Sequence, residues 1–181
     1  MRKECIILLK DSLQRYYRMK PQKLLRLVSE MLKNSKKSDR ELAGILGVSQ
    51  PTVSRTRARI EKEYIKTYTI IPDFEKLGYQ IMAFTLAKMK ASPDVSAEIS
   101  QKSKEWVAKR HNVIFGAGGE GLGKDLILIS FHKKYSAYAE FMRSLAMDWA
   151  NYMDNFESFL VSIGAGYKLR DFDLKYLAED I

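Results

Sequence analysis

The chain has 181 residues and a net charge of +9, and the whole surplus lies before Tyr79: residues 1–78 hold 18 basic and 9 acidic side chains, and the rest is balanced. A hydrophobic content of 46% with 29% charged residues is ordinary for a folded protein and excludes a disordered chain. The single cysteine, Cys5, excludes an internal disulfide or a multi-cysteine metal site and points to a reducing, cytoplasmic setting, while the apolar run 6–9 is too short for a signal core of roughly 7–15 residues or a membrane helix of about 20.

Residues 4–19 read as a helix, because Ile6, Leu9, Leu13, Tyr16 and Tyr17 recur at helical spacing. Residues 1–20 form an N-terminal extension with six basic and two acidic side chains. Pro21 suits the first turn of a second helix, on which Leu24, Val28, Met31 and Leu32 make an apolar stripe. Residues 34–37 are a polar loop. Ser38 followed by Glu41 is a capping box, and Leu42, Ala43 and Leu46 then face inward until Gly47 ends the helix. Val48 plugs the corner, and Ser49 with Pro51 starts another helix that runs to about Lys62.

A capped short helix, a Gly turn and a second capped helix describe a helix-turn-helix. At 100° per residue, Val53 and Ile60 mark the core side of the second helix. Arg55, Ala58, Arg59 and Lys62 lie opposite, flanked by Pro51, Thr52 and Ser54. A cationic, hydroxyl-bearing face without a carboxylate before Glu61 is what entry into a DNA major groove requires. Gln50 is placed to read bases, and Lys36, Lys37 and Arg40 lie beside the helix in sequence. Arg57 falls on the inward flank, so its stem is expected along the core and its head in solvent. Residues 64–71 are rich in β-branched and aromatic side chains and read as a wing strand carrying Lys66, broken at Pro72-Asp73. Residues 21–72 are thus a winged helix-turn-helix, and 73–78 a linker.

From residue 79 the pattern changes. Residues 79–90 read as a strand apolar on both faces, with Met82, Phe84 and Leu86 on one side and Ile81, Ala83 and Ala87 on the other. Val95, Ile99, Trp106 and Val107 mark a helix; 113–115 and 126–131 are strands. The stripe Tyr138, Phe141, Met142, Leu145, Trp149 and Tyr152 marks a long helix, and 156–163 a last strand. This β-α-β-β-α-β order over residues 79–181 is ferredoxin-like, an α+β fold whose uncovered sheet face suits oligomerisation.

Gly116 to Gly121 matches G-x-G-x-x-G, and Gly118 to Lys124 matches G-x-x-x-x-G-K. Both motifs need a helix directly afterwards to hold a phosphate, and here Asp125 opens a strand, so the segment reads as a hairpin loop. Its backbone N–H groups with Lys124 and Asp125 also fit a small zwitterion. His111 and His132 are the only histidines, too few for a zinc site, and His132 reads as a strand-end surface residue. No cofactor is implied.

The run Ser38 to Arg55, then Arg59-Ile60-Glu61, Tyr68-Thr69 and Lys76-Leu77-Gly78, resembles the Lrp/AsnC (feast/famine) transcription regulators over about residues 21–165. That resemblance implies a regulator binding double-stranded DNA at near-palindromic sites, as a homodimer or higher assembly, without a membrane. It carries DNA contact to Gln50, Thr52, Ser54, Arg55 and Arg59, and small-molecule effector contact to Gly121, Gly123 and Asp125. Three departures stand out: residues 1–20 are additional, Glu63 and Tyr64 replace the Gly that ends the recognition helix, and loop 116–124 is richer in Gly. Alternatives are an enzyme on the same scaffold resembling siroheme decarboxylases, and an effector sensor with weak DNA binding.

Overall fold

The computed structural model describes residues 22–90, 97–164, 166 and 168–181. The expected helix over residues 4–19 lies outside them. The chain divides into two compact units, one holding residues up to 71 together with 171–181, the other residues 72–170.

In the first unit α1 (Gln22–Lys33), α2 (Asp39–Leu46) and α3 (Gln50–Glu63) share one core. Leu24, Leu27 and Met31 of α1 meet Leu42 and Ala43 of α2 and Val53 and Ile60 of α3, with Val48 packed at the corner between α2 and α3. Burying such aliphatic side chains contributes roughly 1.5–3 kcal/mol each, enough to define a three-helix unit. The capping box is made as read: the Ser38 hydroxyl accepts from the Glu41 N–H at 3.3 Å, and Glu41 Oε2 accepts from the Ser38 N–H at 2.7 Å. Gly47 closes α2 in the left-handed conformation at φ 64°, which Gly adopts without a Cβ penalty.

Two expectations fail here. Residues 65–73 form no strand, so the helix-turn-helix has no paired wing. The β-branched composition was right for extended chain, but a strand needs a ladder partner. The segment is instead tied back by Tyr68, whose hydroxyl donates to Glu61 Oε1 at 2.8 Å. Shielding and that carboxylate push the phenol up to about 12, so it stays a donor at neutral pH. Second, residues 171–181 do not join the ferredoxin-like unit. A short 3-10 helix, Leu174–Glu179, packs on α1 and buries Ala178. A buried hydroxyl is satisfied there: Ser29 lies on the buried side of α1 and donates to the Ala178 carbonyl at 2.7 Å.

The second unit is a four-stranded antiparallel sheet in the order β2-β3-β1-β4, formed by β1 (Ile81–Met89), β2 (Val113–Gly121), β3 (Lys124–His132) and β4 (Met153–Ser162). Two helices, α4 (Ala97–Ala108) and α5 (Tyr135–Trp149), complete the β-α-β-β-α-β order. Ala83, Thr85 and Ala87 are buried on one side of β1. Phe141, Leu145 and Trp149 of α5 and Trp106 of α4 belong to the core on that side. The expected linker is part of this unit: Phe74 stacks on Phe131 at 4.2 Å between centroids, and the Tyr79 N–H donates to the Phe74 carbonyl. Among the described residues no helix is long and apolar enough to cross a membrane.

His132 is not a surface residue. It is 4% exposed, its Nε2 lies 2.9 Å from the Ser130 hydroxyl, and its ring meets Tyr138 and Phe141. Alternation explains the error: residues 126, 128, 130 and 132 of β3 all face the helix layer, so the strand's last position is covered by α5. Burial holds the imidazole pKa below its usual value, so the unfolded chain takes up the proton first. Stability should therefore fall as the pH drops below about 6.5 toward the folded value. Thermal melts between pH 7.5 and pH 5 should show this decline, and His132→Gln should flatten it.

Candidate nucleic-acid interface

The site is α3 and what holds it against α2. Because Val53 and Ile60 are buried, the opposite side of α3 is committed to solvent. Gln50, Thr52, Ser54, Arg55, Arg59 and Lys62 are all exposed. So are Lys36, Arg40 and Lys66, whereas Lys37 is half-buried.

The exposed groups differ in how free they are. Arg55 folds back to donate from Nε to the Pro51 carbonyl at 3.2 Å. Arg59 pairs with Glu63 at 3.0 Å, one turn on. Both partners are about half exposed, and such surface pairs contribute only about 0–1 kcal/mol, so Glu63 holds Arg59 only weakly. The Thr52 hydroxyl lies 2.8 Å from that of Ser49, which occupies the N-cap position of α3 without capping it through its side chain. The Ser54 hydroxyl donates to Asp39 Oδ2.

Lys37 is engaged elsewhere: its ammonium sits 2.6 Å from Glu30 Oε2 on α1. Hydrogen bonds from Lys37 and then Lys33 hold the Glu30 carboxyl below the usual carboxylate range. Sequence spacing placed Lys37 beside α3, but the acceptor seven residues upstream on α1 takes its charge.

Arg57 departs from expectation most. Its head does not escape to solvent but turns to the start of α2. Nη2 donates to the Lys37 carbonyl at 2.8 Å, and Nε lies 2.8 Å from Asp39 Oδ1. The Nε–H is not aligned with the carboxylate, so that contact is Coulombic rather than a hydrogen bond. Asp39 thereby receives both Ser54 and Arg57 of α3 at the first turn of α2. This clamp was missed. Its signal was present: an acidic first-turn residue on α2 and an Arg on the inward flank of α3.

The Gly-rich segment is strand rather than loop. β2 runs through Gly121, and only Leu122 and Gly123, both with positive φ, turn the chain into β3. Gly121, Gly123 and Asp125 do come together at this hairpin, but the charges offered to a zwitterion are already paired. Asp125 accepts from the Met89 N–H at 2.8 Å and pairs with Lys88, and these contacts hold its carboxyl below the usual range. Lys124 donates to Asn155 and Glu157 at 2.7 and 2.6 Å.

No protein-family model matches the chain. It is 38% identical over 80 residues to an uncharacterized HTH-type transcriptional regulator of Pyrococcus abyssi, a match spanning 44% of this chain and 53% of that protein. It is 36% identical over 98 residues to a regulator of the same description, PH0061 of Pyrococcus horikoshii, spanning 50% and 66%. The chain thus spans between half and two thirds of the length of these curated relatives. The crystal structure of PH0061 superposes with a TM-score of 0.67 at 25% identity, covering 86% of this chain and 97% of that one. Escherichia coli AsnC gives 0.67 at 15% identity, over 85% and 98%. A Neisseria meningitidis regulator crystallised with L-Met gives 0.72 at 14%, over 86% and 94%. The two Pyrococcus relatives are named HTH-type transcriptional regulators, which goes against the siroheme-decarboxylase alternative.

Removing the clamp should loosen α3 from α2. Arg57→Ala should cost about 1–3 kcal/mol, since it strips a partner from a part-buried carboxylate and a carbonyl. Urea denaturation measures this, and Arg40→Ala, exposed and in no such contact, should change stability by less than about 0.5 kcal/mol. The chain is thus similar in sequence to HTH-type transcriptional regulators of Pyrococcus and shares the fold of PH0061 and of Escherichia coli AsnC.

Proposed function

We propose that the protein is a sequence-specific DNA-binding transcription regulator that works as a dimer. The observation that carries this reading is the one-sided exposure of α3: every expected contact residue on it is exposed while Val53 and Ile60 anchor the opposite side. Gln50, Thr52 and Arg55 would read base edges near the start of the helix, and Arg59, Lys62, Lys36, Arg40 and Lys66 would meet phosphates. Ser54 and Lys37 serve more by fixing α2, α3 and α1 than by reaching DNA, because their polar groups already have partners.

Support for the dimer comes from the second unit. The sheet face away from the helices carries Met82, Phe84 and Leu86 of β1 beside Ile127 and Ile129 of β3 and Phe159 of β4. Phe159 is 72% exposed. An apolar face of this kind is an interaction surface, and two copies of it are self-complementary under two-fold symmetry. Two α3 helices would then enter successive major grooves about 34 Å apart on a near-palindromic site.

Selection of bound DNA from a random pool, followed by gel-shift titration, tests the reading. Arg55→Ala with Arg59→Ala should abolish specific binding and leave the assembly intact. Lys62→Ala should weaken binding to all sequences and lower the salt slope by about 1. Unchanged affinity in the double variant would overturn the assignment. Phe159→Asp should convert a dimer to a monomer in light scattering after gel filtration. A wild type that already runs as a monomer would remove the dimer claim.

A small-molecule effector is the second part of the proposal, favoured by the L-Met complex of the Neisseria regulator with the same fold. It would sit at the hairpin of Gly121, Gly123 and Asp125. Calorimetry with L-Met and an amino-acid panel should give heat for at least one member, and Asp125→Ala should remove it. No heat from any member would remove the effector claim.

A further inference from the structure

The helix side of the sheet holds a space that its own side chains leave unfilled. On the central strands Thr85, Ala87, Leu126 and Leu128 alternate toward the helices. The edge strand presents Gly116 and Gly118 to the same layer, opposite Leu128 and Leu126. A Cβ at Gly118 would meet nothing nearer than 3.8 Å. A cavity of about 590 Å³ remains between α4, β2 and the neighbouring strands.

Its walls are mostly apolar and include the buried Trp106, Leu145, Trp149 and Met153. Protein interiors pack as densely as organic crystals, and an apolar cavity of about 150 Å³ already takes up benzene. A space several times larger falls within the range of small-molecule sites, about 300–1,000 Å³. The polar groups around it are few. Ser103 donates to the Ile99 carbonyl at 2.8 Å, and the Thr85 hydroxyl lies 2.9 Å from Ser158. Among the described residues Lys104 on α4 is the one charged residue in the lining, and it is exposed, so it stands at the solvent side. With no carboxylate among the described lining residues, a free amino acid would find no partner there for its ammonium. A ligand with a long apolar body and a single anionic head has a partner for each part.

We propose that this cavity binds an apolar monocarboxylate, its chain between α4 and the sheet and its carboxylate at Lys104. The lining borders the hairpin through Met89, Gly118 and Leu126 but does not include Gly121, Gly123 or Asp125, and the proposal is independent of the DNA reading.

Trp106 and Trp149, the only tryptophans in the chain, both line the cavity, so intrinsic fluorescence reports on it directly. The full-length protein titrated with decanoate should show a saturable change below about 1 mM, with decanol weaker by up to about fivefold, since an exposed ion pair is worth at most about 1 kcal/mol. Lys104→Ala, a surface substitution, should erase the preference for decanoate over decanol. Gly118→Leu, which fills the space, should abolish binding of both while circular dichroism stays native. L-Leucine should produce no change. The absence of a saturable decanoate signal in the folded wild type would overturn the proposal. So would an unchanged decanoate preference in Lys104→Ala.

Discussion

The burial of Val53 and Ile60 against Leu24, Leu27, Met31 and Leu42 is the constraint on which the rest of the first unit depends. A helix of 14 residues with two fully buried side chains has one rotational setting that keeps them dry. Every other side chain on α3 takes its direction from that setting. The cationic face is therefore a consequence of the core, and it needs no contact of its own to be displayed. What the core does not determine is the angle between α2 and α3, because two small helices can slide on an aliphatic contact. The Asp39 carboxylate supplies that second constraint by holding Ser54 and Arg57 of α3 at the first turn of α2. The ion pair adds little net free energy when whole, but breaking it leaves a part-buried carboxylate and carbonyl short of a partner, so the clamp fixes geometry and is costly to remove.

The second unit obeys a different rule with the same outcome. In a sheet the side chains alternate, so burying Ala83, Thr85 and Ala87 under the helices commits Met82, Phe84 and Leu86 to the other face. No helix is left to cover them within the described residues of the unit. The two units thus each expose a surface as the reverse side of their own core, one cationic and one apolar. A cationic helix suits an anionic duplex, and an apolar sheet suits a second copy of itself.

The helix starts and stops were legible because their chemistry is local. Ser38 and Glu41 satisfy each other's backbone within four residues, and Gly47 needs only its own φ. The order of helices and strands was legible from helical stripes and apolar strand runs, although β2 was read only as residues 113–115 and extends to Gly121. The failures share a physical cause, which is that each depended on a partner distant in sequence. Residues 65–73 have strand composition but no ladder neighbour. Residues 171–181 look like a tail, yet Ser29 on α1 needs an acceptor and finds the Ala178 carbonyl. Lys37 looked free until Glu30 was placed opposite it. Within the candidate site, which residues face out could be read from the wheel of α3; which of them are already spoken for could not.

The glycines of β2 show how a motif is misread when only its spacing is considered. Gly116, Gly118 and Gly121 match a phosphate-binding pattern, and the absence of a following helix already excluded that use. It did not follow that they form a loop. They sit in a strand paired along its length with β3, and only Leu122 and Gly123 turn. In a strand, a glycine subtracts a side chain from one face of the sheet, so two at alternate positions subtract from the same face. That face is the one α4 should pack against. At Gly116 the Leu128 side chain takes the space, since a Cβ there would lie 2.9 Å from Leu128 Cδ2, with Val107 Cγ2 at 3.9 Å. At Gly118 a Cβ would meet nothing nearer than 3.8 Å, so that glycine borders the cavity without any side chain of its own to fill it. The pattern that resembled a nucleotide loop is instead the reason the unit has room for a ligand.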